Sequence, residues 1–209
     1  MNNLEELSKL FKRLSKLDYI RPEDVPNIDL YMDQVTTFMD HHMEACKRHP
    51  EDKILTKTMI NNYAKNDLLP PPVKKKYSKE HMLLLIFIYY FKSILSISDI
   101  QTLLHPLTSE YFSGDGQLNL EDIYREVFSL QNEQLDTFTR DVKNKFKSSA
   151  KTFENVPEEE REALQSFSFI CALSFDVYLK KQMIEAMIDN MAQKAAKRQS
   201  KDGSVPKDR

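Results

Sequence analysis

The first 113 residues contain no glycine; the three in the chain are Gly114, Gly116 and Gly203. Tight β-turns draw on glycine for their positive-φ positions. So long a stretch without it points to helices joined by proline and polar loops. The apolar spacing agrees. Leu4, Leu7, Leu10, Phe11, Leu14 and Leu17 recur at helical intervals over 3–17, and Met32, Val35, Phe38 and Met39 do so within 28–49. Pro50-Glu51-Asp52 ends that second helix. Thr56–Asn66 reads as a short helix, and Pro70-Pro71-Pro72 as extended chain. Ser78 caps a long apolar helix, Lys79–Leu95. Ser96 with Asp99 forms a capping box for Ile97–Leu104, which Pro106 stops.

Residues 107–118 read as a loop. Asn119 with Asp122 is another cap, followed by the stripe Ile123, Val127, Leu130, Phe138, Val142, Phe146 and Phe153. A continuous helix over 120–152 would be about 50 Å long; a break is expected near Gln131–Gln134. Pro157 opens a last helix over 158–193, and the lysine-rich stretch 194–209 is expected to be disordered. The expected fold is all-α with at most one small hairpin. Residues 1–106 are expected to form an N-terminal domain, 107–118 a loop, 119–193 a C-terminal helical region for dimerisation or effector binding, and 194–209 a tail.

At 209 residues and 41% apolar, the chain can bury a sizeable core. The longest apolar run, Met82–Phe91, has ten residues. A membrane span needs about 20, so no membrane partner is expected. Cys46 and Cys171 lie far apart, and Met1–Lys16 lacks the apolar run of a secretory leader. A cytoplasmic protein with free thiols is expected.

Charge is unevenly spread. Residues 53–79 hold seven lysines, at 53, 57, 65, 74, 75, 76 and 79, against one acid, Asp67. A basic stripe of this kind is a footprint of phosphate binding; the plainer reading is a solvated lysine face. Within it, the short helix carries residues that can read DNA. Asn61 and Asn62 can bond base edges bidentately, best with adenine. Thr56 and Thr58 can bond phosphate or base, Lys57 and Lys65 can neutralise phosphates, and Tyr63 lies on the same helix. After the prolines, Val73–Tyr77 can form a short wing that lays Lys74, Lys75, Lys76 and Tyr77 along the backbone.

Residues 53–105 resemble the winged helix-turn-helix of the MerR family. There a recognition helix runs into Gly-Leu-Leu-Pro, then a wing, then a Tyr-Ser/Thr step into an apolar helix. Here Tyr63, Leu68-Leu69-Pro70, Tyr77-Ser78 and Met82–Phe91 stand in those places, and Ser96–Leu104 in that of the fourth helix. Asn61 replaces the family's helix arginine, and Asp67 its glycine. Over residues 1–195 the chain is similar to a bacterial family catalogued as domain of unknown function 1836, through Ile28-Asp-Leu-Tyr-Met-Asp-Gln34, Leu55-Thr-Lys-Thr-Met-Ile-Asn-Asn-Tyr63 and Lys75-Lys-Tyr-Ser78. That second resemblance implies no activity. The first implies a bacterial transcription regulator that binds double-stranded DNA, as a homodimer and with an unidentified effector. The alternative is a helical protein-interaction adaptor.

Other constellations favour plain readings. His42, Cys46 and His49 would share a helix face, but zinc sites normally show four ligands in paired short spacings; no metal is expected. Ser113–Asp122 has half of a calcium loop, with Tyr111 where the first carboxylate belongs. Met183, Met187 and Met191, with Ile184 and Ile188, form a stripe suited to a core or a dimer seam. There is no phosphate loop, nucleophile elbow or His-Glu-x-x-His run. Neither enzymatic activity nor a cofactor is expected.

Overall fold

A computed structural model describes residues 3–14, 19–113 and 116–202. It is helical apart from a two-stranded ladder, in agreement with the all-α expectation. The helices are α1 (Asn3–Leu14), α2 (Met32–His42), α3 (Lys57–Lys65), α4 (Lys79–Phe91), α5 (Ile97–Pro106), α6 (Leu120–Ser129), α7 (Gln131–Ser149) and α8 (Glu158–Asp202). The strands are β1 (Leu30–Tyr31) and β2 (Lys76–Tyr77), antiparallel, with Leu30 opposite Tyr77 and Tyr31 opposite Lys76. The chain forms two compact units, one of residues 1–128 with 187–209 and one of residues 129–186. No described helix is long and apolar enough to cross a membrane.

The first unit is built around α4. Met82 to Ile88 are buried without interruption, as expected of a helix that is apolar all round. Val35 and Met39 of α2, Ile60 of α3, Ile100 and Leu104 of α5, and Leu120, Tyr124 and Phe128 of α6 join the same core, as does Ile188. Aromatic rings thicken it: Phe87 lies 5.4 Å from both Tyr124 and Phe128. The Tyr124 hydroxyl is buried and donates to the Ile20 carbonyl at 2.6 Å. Lys92, just past α4, donates to the Ile54 carbonyl at 2.7 Å and sits over the Tyr89 ring; burial holds its ammonium below the usual lysine range.

Several elements depart from the sequence reading. The expected helix over 28–49 yields β1 first and ends at His42, because Leu30 and Tyr31 find backbone partners in β2. The spacing of His42, Cys46 and His49 therefore does not lie on one helix. Pro106 does not stop the winding: a π turn follows over Leu107–Tyr111. The hydroxyls of Thr108 and Ser109 satisfy the His105 carbonyl at 3.0 and 2.7 Å. The stripe from 120 to 152 is broken at Leu130, between α6 and α7, so the 50 Å helix does not form. The reciprocal cap is present, with Asn119 N–H donating to Asp122 and Asp122 N–H to Asn119 at 3.1 and 2.9 Å. Residues 194–202, expected to be disordered, continue α8, while the rest of that tail lies outside the described residues. Residues 114 and 115 of the half calcium loop also lie outside them.

In the second unit α7 and the first part of α8 run antiparallel. Phe146 meets Phe169 edge-on at 5.4 Å. Gln165 Nε2 donates to the carbonyls of Ala150 and Thr152 at 2.9 and 3.0 Å, closing the turn between the helices.

Candidate nucleic-acid interface

Thr56 begins the site. Its hydroxyl accepts the Met59 N–H at 3.2 Å, an N-cap that leaves it little freedom for another ligand. Helical periodicity then sorts α3 into two faces. Ile60 and Tyr63 point inward, 0% and 7% exposed. Lys57, Thr58, Asn61, Asn62 and Lys65 are exposed on the other side. Five of the polar residues singled out in this helix thus share one solvent face.

The end of α3 is a Schellman motif. Asp67 N–H donates to the Ala64 carbonyl at 3.3 Å and Leu68 N–H to the Tyr63 carbonyl at 2.9 Å. Asp67, the residue after the C-cap Asn66, has φ 55, a left-handed conformation usually given to glycine. Leu68 and Leu69 then drop into the core, and the prolines carry the chain to the wing.

The wing is a hairpin of minimal length. Val73 and Lys76 exchange backbone hydrogen bonds, N–H to O at 3.1 and 2.9 Å. Lys74 and Lys75 between them have φ 50 and 66. Two consecutive positive values at the centre of a two-residue loop make this a type I′ turn, whose favoured residues are Asn and Gly. Here both positions are exposed lysines.

The start of α2 ties helix and wing together. Lys57, at the first turn of α3, forms an ion pair with Asp33. Lys76, at the base of the wing, holds its ammonium 5.2 Å from the centre of the Tyr31 ring. Tyr31 and Asp33 are two residues apart, so the amino end of α3 and the base of the hairpin share one anchor. Tyr31 and Asp33 fall within the Ile28–Gln34 segment of the family resemblance, but neither was expected to take part in the site, because both ties run through tertiary contacts.

Two expected contact residues are corrected. Tyr63 and Tyr77 are 7% and 3% exposed, and burial pushes both phenols up from their usual range. Tyr63 falls on the inner face of α3 three residues after Ile60. Tyr77 follows Lys76 in a strand, where successive side chains take opposite faces, and its ring meets His81 at 5.5 Å. Both belong to the core.

The remaining polar clusters offer no metal site: among the described residues, no group of three or more His, Cys, Asp or Glu is placed to hold an ion. The His42 ring stacks on Phe38 at 4.2 Å; the residue is exposed, and partial desolvation disfavours its imidazolium. Cys46 is half-buried, which raises its thiol.

A family model described as domain of unknown function (DUF1836) matches residues 20–127. No curated protein and no solved structure matches the chain.

Proposed function

Given that the chain belongs to the DUF1836 family, whose description names no activity, we propose that it binds double-stranded DNA sequence-specifically as a transcription regulator. In this reading α3 enters the major groove and the hairpin over 73–76 tracks phosphates. Asn61 and Asn62 read base edges; Lys57, Lys65, Lys74, Lys75 and Lys76 neutralise the backbone. Because one recognition helix reads only a few base pairs, the functional form is a homodimer on a two-fold site.

The observation that carries the reading is the pair of lysines at the turn. A left-handed residue with a side chain costs roughly 1–2 kcal/mol, and Asn-Gly would avoid most of that. Strain kept at an exposed position is characteristic of functional sites. What the turn gains is two ammonium groups at its tip, beside a polar helix face anchored through the same segment, Tyr31 of β1 and Asp33 of α2.

The test is binding of the full chain to duplexes selected from a random pool, followed by anisotropy at several salt concentrations. Four or five phosphate contacts give a log–log slope of about −4. A protein that selects no sequence, or whose binding ignores salt, does not work this way.

A further inference from the structure

We infer that Asp33 is an intramolecular competitor for the Lys57 ammonium, and that it withholds a phosphate contact at the amino end of α3 until DNA displaces it. This role rests on the DNA-binding reading. Along the chain, residues 53–79 set one acid, Asp67, among seven lysines. Folding brings in another acid: Asp33, from the first turn of α2, forms an ion pair with Lys57.

Neighbouring residues fix where Asp33 sits. The Tyr31 N–H donates to Gln34 Oε1 at 2.9 Å, which closes the first turn of α2. The hydroxyls of Thr36 and Thr37 donate to the Asp33 backbone carbonyl at 3.0 and 2.8 Å. Val35 and Met39, both fully buried, seat α2 in the core that also takes Ile60 of α3. The Asp33 carboxylate is therefore carried on a well-anchored turn beside the exposed face of α3.

The pair itself is open to solvent: the side chains of Lys57 and Asp33 are 59% and 76% exposed. Exposed pairs of this kind contribute little to stability, so folding gives no strong reason for the acid. Its effect on a polyanion is larger. A phosphate that reaches Lys57 must displace the carboxylate or meet a pair whose net charge is near zero. The number of neutralised phosphates sets both the sequence-independent affinity and its dependence on salt. Lys76 is treated differently by the same segment. Its ammonium lies over the Tyr31 ring, and a ring face orients a cation without cancelling its charge. One lysine is steadied for DNA and the other is masked from it.

Anisotropy of the full chain on the selected duplex and on a random one, each over a range of salt, tests this. Asp33→Asn is expected to bind both duplexes about fivefold more tightly at about 0.1 M salt, with a log–log slope steeper by up to about 0.9, one phosphate contact. The gain is common to both because phosphates are. Glu44→Gln removes the same charge from an exposed site past the far end of α2. That site lies about 15 Å along the helix direction, beyond the Debye length of about 10 Å at this salt, and the variant is expected to match the wild type. In a Lys57→Gln background, Asp33→Asn gains less than about twofold. Helical circular dichroism is unchanged throughout; if Asp33→Asn disturbs the start of α2, Asp33→Ser replaces it with the same expected gain. An Asp33 variant that binds random DNA no more tightly than the wild type overturns the inference. So does a gain that Glu44→Gln reproduces, or one that persists in full without Lys57. In each of these cases the salt-dependent binding of the wild type still stands. A wild type that binds neither duplex overturns the DNA-binding reading, and the inference with it.

Discussion

Val73 and Lys76 exchange two backbone hydrogen bonds, at 3.1 and 2.9 Å, across a loop of two lysines that both have positive φ. The bonds fix the turn type, and the turn type sets the conformational cost of its residues. Local preference and the chain's choice of side chain therefore disagree at this point.

Resolving that disagreement in favour of the backbone separates stability from binding. Lys74→Asn/Lys75→Gly is expected to raise stability by about 1–2 kcal/mol, since Asn-Gly suits a type I′ turn. The urea midpoint rises with an unchanged slope. The same variant is expected to bind DNA more weakly and with a salt slope flatter by about 1.8, two phosphate contacts at roughly 0.9 each. Unchanged affinity alongside higher stability would place the two lysines away from DNA.

Asp67 poses the same question without a charge to gain. It holds the left-handed position of the Schellman motif at φ 55. Aspartate tolerates this region better than most residues, so the cost is modest. Asp67→Gly is expected to stabilise by roughly 0.5–1 kcal/mol, and Asp67→Val to destabilise by more. A lower thermal midpoint for the glycine variant counts against strain at this cap.

The elements that sequence located well are those with strong local signals. Ser96 and Asp99 cap α5 reciprocally, Asp99 N–H to Ser96 Oγ at 3.1 Å and Ser96 N–H to Asp99 Oδ2 at 3.2 Å. Thr56 and Ser78 likewise mark the starts of α3 and α4. What stayed hidden depends on partners distant in sequence. β1 exists because Leu30 faces Tyr77, a pairing no local pattern announces. Tyr63 and Tyr77 have amphipathic side chains that suit a surface or a core equally; only packing assigns them to the core. The exposed face of α3 was legible from its 3.6-residue period. Its tie to the wing through Tyr31 and Asp33 was not, because that tie runs through tertiary contacts.

Asn61 and Asn62 are exposed on α3 and contribute little to packing. The Asn62 backbone carbonyl is engaged by Asn66 Nδ2 at 2.7 Å, but that bond does not involve the Asn62 side chain. Alanine at either position is expected to leave the urea midpoint within about 0.5 kcal/mol of wild type. Each is expected to weaken binding to the selected duplex by about 1–3 kcal/mol while sparing random DNA. Equal losses on both duplexes would remove base reading from these residues.

His81 makes the folded state sensitive to acid. It is 3% exposed, and the Ser78 N–H donates to its Nδ1 at 3.0 Å, which joins the wing to the start of α4. The ring is flanked edge-on by Tyr77 and Phe112. Its Nε2 is buried without a well-formed hydrogen bond. Burial disfavours the imidazolium and holds the group below its ordinary value of 6.5; the nearby carbonyls of Pro71 and Pro70, with Glu80 and Asp29, oppose this less strongly. Below pH about 6.5 the unfolded chain therefore takes up a proton that the folded chain refuses, and stability falls with pH until the folded state is protonated too. His81→Gln is expected to keep the cap, because glutamine at this position can also accept from the Ser78 N–H, while it removes the titration. Thermal midpoints at pH 7.5 and pH 5.5 measure the difference. The wild type loses more stability over that interval than the variant. If the two lose the same amount, the acid sensitivity originates elsewhere in the chain.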